Sequence, residues 1–354
     1  MKILITGGAG FVGAYLCRLY KSKYPNGKVV AFDNLHRRGS ELNIQEFSRL
    51  GIDFVHGDIR IYEDLSVLED HFDLFIEASA EPSVLMGLNK PNLYALQTNL
   101  QGTVNCLNFA LHHADCFNFL STSRVYSIDP LKKIPLKEGD TRFYIDESGG
   151  SLSGLSEKGI NEDFPVNTAR SIYGATKLAS ELLIQEYVDT YNLKAIINRC
   201  GVLCGAGQFG KVEQGVFTLW VARHYLEKPL KYTGFGGKGK QVRDLLHPKD
   251  LFEAIEIQRD QVNRCSGEIY NIGGGTDISV SLLELTKLCQ EITGNSIEIQ
   301  EIPETTAVDI PLYITDYGKA HQGFGWKPNL GVQDIVSDIY EWLTKNHRTL
   351  QQIF

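Results

Sequence analysis

The segment from Lys2 to Asp33 leaves this chain few ways to fold. Lys2–Thr6 (KILIT) is a short apolar run that ends on glycines, and apolar residues then recur at helical spacing over Phe11–Lys23. Strand, tight turn and helix follow in that order, and Lys28–Asp33 (KVVAFD) reads as a second strand. In the turn GGAGFVG, Gly7 permits the sharp bend, Gly10 lets the backbone approach an anion, and Gly13 lets the helix pack on the strand. The unpaired amides of the helix start, at Phe11 and Val12, face the same anion. Asp33 closes the second strand twenty residues after Gly13, where a carboxylate accepts hydrogen bonds from ribose hydroxyls. A dinucleotide pyrophosphate on the turn and an adenosine ribose on Asp33 are the expectation.

Asp33 favours NAD, because a 2′-phosphate beside it would meet a negative charge. The basic run His36, Arg37, Arg38 offers that phosphate an opposite pull and keeps NADP open at this point. Asp58, in HGDIR after a third strand containing Phe54–His56, is either an adenine contact or an exposed loop carboxylate.

The alternation continues. Leu74–Ala78 reads as a fourth strand, Leu93–Ala114 as one long helix, and Phe117–Ser121 as a fifth strand. Strands alternating with helices imply right-handed crossovers and a parallel sheet covered on both faces, hence a doubly wound α/β fold. Residues 127–170 break the rhythm with a polar stretch, DESGGSLSGLSEKG, longer than an ordinary connection; a lid is the expectation. A helix over Ser171–Tyr191 and a strand over Lys194–Arg199 complete a first domain, 1–200. From 201 to 354 the pattern mixes short strands with helices such as Ser281–Thr293 and Val332–Asn346. That portion reads as a smaller mixed α/β substrate domain, with room for strands or helices to be exchanged between the two.

A formal charge of −8 disfavours sequence-independent nucleic-acid binding, which relies on a basic surface. No apolar run has the length of a membrane span, and the amino terminus opens a strand in place of a secretion signal, so a cytoplasmic enzyme is expected. The seven cysteines are scattered without paired CxxC blocks, and neither a disulfide framework nor a metal site is expected.

Tyr173 and Lys177, in SIYGATK, stand four residues apart on the predicted helix and share a face. A free phenol has a pKa of about 10, too high for an efficient base near neutrality, and a neighbouring ammonium favours its phenolate. Tyr173 can then take a proton from an alcohol while Lys177 binds the nicotinamide ribose. Thr122, at the end of the fifth strand, can hold the same alcohol oxygen.

Together GGAGFVG, Asp33, GDIR, the STS strand end and YGATK resemble the extended short-chain dehydrogenase/reductases, the nucleotide-sugar epimerases and dehydratases with a Rossmann-type domain. More narrowly, FDNLHRRGSELN, EPSVLMG, NRCGVLCGAGQFG, EQGVFTLWVARHY and GKGKQVRDLLHPKDL resemble the CDP-paratose 2-epimerase, or CDP-tyvelose epimerase, branch. The resemblance implies tightly bound NAD, with Asn34, Ile59, Ala78, Ser79, Ala80 and Asn99 joining the cofactor contacts. It implies a nucleotide-diphosphate sugar as substrate, a CDP-sugar favoured, gripped at the diphosphate by Arg243. Val202 stands where many relatives have asparagine, and ETTAVD lacks a common arginine, so Gln208, Lys211 and Gln214 are further substrate candidates. Ser83 either contacts the sugar or caps a helix, and Ser123 follows the catalytic threonine. Dehydratases of the family carry a carboxylate directly after that threonine; here Thr122, Ser123, Arg124 offer none, which favours epimerisation by transient oxidation, at carbon 2 in the resembled branch. A 4-epimerase, a 4-reductase, a dehydratase and an NAD-sensing binding protein remain alternatives. Relatives dimerise through the two long helices, so a homodimer or homotetramer is expected.

Overall fold

In the computed structural model, which describes residues 1–83, 93–150, 152–210, 215–307 and 309–350, seven parallel strands form the central sheet. They are β1 (Lys2–Thr6), β2 (Lys28–Asp33), β3 (Asp53–His56), β4 (Leu74–Glu77), β5 (Phe117–Thr122), β6 (Ala195–Cys200) and β7 (Ile269–Ile272). Their spatial order is β7-β6-β5-β4-β1-β2-β3. Near-continuous apolar runs suit strands buried on both faces. One face packs Ala14, Leu16, Cys17 and Tyr20 of helix α1 (Phe11–Lys23) with Leu251, Ala254 and Ile255. The opposite face packs Cys106, Phe109 and Ile184 against Phe75, Phe117 and Phe119. After β1 the chain winds to β2 on one side, whereas β4 flanks β1 on the other. Such a reversal opens a crevice at the carboxyl ends of the strands, the usual ligand position in this architecture.

The long helix expected over Leu93–Ala114 is interrupted. It runs Leu93–Leu96, passes through a π turn at Gln97–Gln101, and resumes as α2 (Gly102–His113). The Ser180 hydroxyl donates to the Asn99 carbonyl at 2.8 Å, and the Thr103 hydroxyl shares its one proton between that carbonyl, at 3.0 Å, and Glu77 Oε1, at 2.7 Å; both contacts loosen the helical ladder there. Helix α3 (Ile172–Tyr191) starts on Ser171, whose side chain accepts the Gly174 amide and caps it.

Residues 127–170, expected as a lid, are built into the body. They form the helix Ile128–Lys132 and two hairpins, and Leu131, Ile134, Ile160 and Phe164 share a core with Tyr126, Ile310 and Tyr313. Arg142 from this segment forks onto Glu284, with distances of 2.8 and 2.9 Å from Nε, and donates to Ser279. Beyond β6 lies a second core, in which helices Val216–Tyr225, Leu282–Thr293 and Val332–Lys345 pack together. Between them the chain returns to the main sheet to add β7 and to lay Pro248–Asp260 on its face. All seven cysteines are buried free thiols, and among the described residues no group of three potential ligands could hold a metal. No described helix is long and apolar enough to cross a membrane.

Candidate functional site

A cleft of about 800 Å³ opens where the sequence reading puts the ligand, at the carboxyl ends of β1 and β4, and continues toward the second core. Its floor is the glycine turn. Gly7 adopts φ +65°, and a Cβ there would lie 2.7 Å from the Ala78 carbonyl; a Cβ on Gly13 would lie 2.1 Å from the Gly7 carbonyl. Side chains are therefore excluded from the turn, and α1 begins at Gly10 with no side-chain cap. Uncapped first-turn amides facing a side-chain-free cradle fit a pyrophosphate. Asp33 lines the same cleft, oriented by the Ala9 amide at 3.1 Å and the Leu35 amide at 2.7 Å. Burial raises its pKa against those donors. These features together fit a bound NAD.

Phe11, Val12, Asn34, Ile59, Ala78, Ser79 and Ala80 line the cleft as expected. Four expected contacts do not. Arg38 is exposed, and His36 and Arg37 line the wall in its place. Asp58 accepts Arg60 at 2.6 Å and Asn34 at 3.0 Å; burial would raise its pKa, but these partners hold it down at about 2. Asn99 is fully buried and acts one layer back: it accepts the Glu81 amide at 2.7 Å and donates to the Glu81 carbonyl at 3.0 Å, fixing the loop after β4. Ser83 is buried outside the lining, and its hydroxyl has no partner among the described residues.

Deeper in the cleft, α3 and the end of β5 bring Tyr173, Lys177 and Thr122 together, with Ser123 beside them. Thr122 Oγ1 accepts the Arg124 amide at 3.1 Å, which leaves its own proton to donate to the Tyr173 oxygen. Burial pushes the Tyr173 phenol up to about 12, opposed by Thr122 and by the Arg124 charge. Lys177 is 1% exposed, with Nζ 4.1 Å from the Phe119 ring centroid. Burial lowers its pKa and Glu77 opposes that most strongly. The arrangement can accept a proton from an alcohol once positive charge draws the phenol down.

The outer cleft carries Gln208, Arg243, Arg223, Lys231 and Asp309. Arg243 donates to the Val242 and Ile310 carbonyls, each at 2.7 Å, and to Asp309 at 3.1 Å; burial pulls its pKa to about 10. Gln208 is engaged by Leu203 and Thr218, at 3.1 and 2.6 Å, so its amide holds the loop. Lys211 and Gln214 lie outside the described residues. Arg124, Arg223, Lys231 and Asp309 escape the sequence reading as ligand-facing groups. Only Arg124 has a local signal, its place two residues after Thr122.

A family model described as the NAD dependent epimerase/dehydratase family matches residues 3–273. CDP-paratose 2-epimerase of Salmonella typhi is 29% identical, over 97% of this chain and 99% of that protein. UDP-glucose 4-epimerase of Bacillus subtilis is 26% identical, over 98% of each. Among solved structures, dTDP-glucose 4,6-dehydratase of Bacillus anthracis in complex with NAD superposes with a TM-score of 0.76, at 24% identity and full coverage (100%) of both chains.

Proposed function

The chain belongs to the NAD-dependent epimerase/dehydratase family, an enzyme family acting on nucleotide sugars, and from that premise we propose that it is a 2-epimerase of a CDP-linked deoxysugar of the paratose/tyvelose kind. Bound NAD supplies a reversible hydride acceptor. Tyr173 takes the proton of the sugar hydroxyl and later returns it, Thr122 holds that oxygen against the phenol, and Lys177 supplies positive charge and binds the nicotinamide ribose. Arg243 and its neighbours at the outer cleft meet the diphosphate.

The observation that carries the choice of epimerisation is the chemistry beside Thr122. Ser123 and Arg124 occupy the positions where elimination would require a carboxylic acid. Three acids line the cleft elsewhere among the described residues: Asp33 accepts the Ala9 and Leu35 amides, Glu81 follows β4 and accepts the Ser83 amide at 3.3 Å, and Asp309 accepts Arg243 at 3.1 Å and the Ile310 amide at 2.8 Å. The similarity to CDP-paratose 2-epimerase supports the nucleotide and the carbon.

A panel of CDP-, UDP-, GDP- and dTDP-sugars, followed by NMR with the purified NAD-loaded enzyme, tests this reading. Inversion at carbon 2 of a CDP-sugar is expected. Inversion at carbon 4 of a UDP-sugar, or formation of a 4-keto-6-deoxy product, would replace it with the corresponding family activity. Tight NAD binding with no turnover of any sugar would point to a sensor.

A further inference from the structure

We propose that Glu77 is the buried counter-charge that fixes the Lys177 ammonium in the proton-transfer site, a positioning residue for that centre. Its importance for turnover rests on the role given to Lys177 above; the pairing itself does not.

Glu77 ends β4 and is 0% exposed, an unusual place for a carboxylate. In the sheet it lies directly opposite Phe119 of β5, so the two side chains leave the same face on strands about 4.8 Å apart. Lys177 Nζ sits 4.1 Å from the centroid of that Phe119 ring. Cross-strand register and the ring contact together put the ammonium and the carboxylate in one compartment between the sheet and α2 and α3. The Thr103 hydroxyl of α2 holds Glu77 Oε1 at 2.7 Å, and Oε2 is buried with no hydrogen-bond partner. Lys177 makes no direct ion pair within 4 Å of this carboxylate, so the compensation that a buried carboxylate needs comes from the ammonium through space across the shared compartment.

The other groups facing Lys177 do not serve. Glu181, one turn along α3, is forked onto Arg199 at 2.7 and 3.1 Å and also accepts the Ser121 hydroxyl. Cys200 of β6 and Cys106 of α2 are thiols that burial pushes up and keeps neutral, Cys200 to about 12. Facing Glu77 are Lys177, Thr103 and Cys106. Burial raises the Glu77 carboxyl to about 7, with Lys177 and Thr103 pulling it down. The carboxylate therefore favours the charged form of the buried amine, the form that the proposed function gives to Lys177.

The test needs no substrate. In protein carrying 13C-ε-lysine, the Lys177 resonance is assigned by its loss in Lys177→Met and titrated in the NAD-loaded protein. Glu77→Gln keeps the volume and an acceptor for Thr103 but removes the charge; the Lys177 midpoint is expected to fall by about one pH unit or more. An unmoved midpoint overturns the proposal. Should Glu77→Gln fail to fold, the reciprocal titration decides: the Glu77 carboxyl midpoint must rise by a similar amount in Lys177→Met, and an unchanged midpoint overturns the pairing equally. In turnover, Glu77→Gln should move the alkaline limb of the kcat profile to lower pH with KM unchanged, whereas a merely structural role would lower kcat equally at every pH. A wild-type enzyme that turns over no sugar would remove the functional reading while leaving the NMR result to judge the pair.

Discussion

At the level of single residues, the site is a contest between burial and charge. Tyr173 alone would hold too little phenolate near neutrality to serve as a base: burial takes its phenol up to about 12, and the Thr122 hydroxyl and Arg124 oppose the rise. Tyr173→Phe removes only the acid–base oxygen. Turnover should fall by about 10²- to 10⁴-fold with NAD retained, and near-normal activity would remove Tyr173 as the base. Arg124→Met tests the electrostatics. The reactive form is the phenolate, so loss of a cation raises the phenol pKa and moves the acid limb of the kcat profile to higher pH; an unmoved limb would show that Arg124 acts elsewhere. The glycine turn, Asp33, Tyr173 and Lys177 were legible in sequence because their chemistry lies in local spacing. Glu77, Arg124 and Asp309 were not, because a carboxylate at a strand end or a lone arginine acquires meaning only when strand register and distant loops supply its neighbours. Asp58 shows the converse: a plausible local motif whose carboxylate is taken by Arg60 two residues away.

Among the elements, most strands and helices followed from apolar periodicity, and the deviations have identifiable causes. The π turn at Gln97–Gln101 reflects hydroxyls from Thr103 and from Ser180 on another helix, a tertiary effect that spacing within one helix does not reveal. The polar stretch in 127–170 looked like a lid because its anchors are few and separated in sequence, yet Arg142 ties it to Glu284 beyond residue 280. Burial would raise the Glu284 pKa, but Arg142, the Ser281 amide and Thr141 outweigh it and hold it at about 2, below the ordinary 4.5. A depressed carboxyl stabilises the folded state above its unfolded pKa and loses that contribution as pH falls through the folded one. The tie should therefore be intact at neutral pH and weaken between about 4.5 and about 2. Glu284→Gln at pH 7 should raise amide exchange across 136–145 by roughly tenfold or more, since hydrogen bonds to charged groups contribute about 1.5–3 kcal/mol. Unchanged exchange would mean that the core around Phe164 and Tyr313 alone holds the segment.

For the molecule as a whole, the two helical segments beside the sheet leave several large apolar side chains exposed. Leu93 and Leu96 before the π turn, and Leu182 and Tyr191 on α3, are 43–64% exposed. These are the side chains that the homodimer expected from the sequence would bury, with two helical segments from each copy forming a four-helix bundle. Leu96→Glu with Leu182→Glu should convert a dimer to a monomer in light scattering while leaving NAD binding intact; a monomeric wild type would refute the assembly. In the proposed epimerisation the reacting hydrogen leaves one face of a sugar carbon and returns to the other without passing through water. The most direct test is to run the reaction in heavy water and read the epimerised carbon by NMR. Retention of the original carbon-bound hydrogen at carbon 2 is the predicted result, and solvent deuterium at the inverted carbon would contradict it.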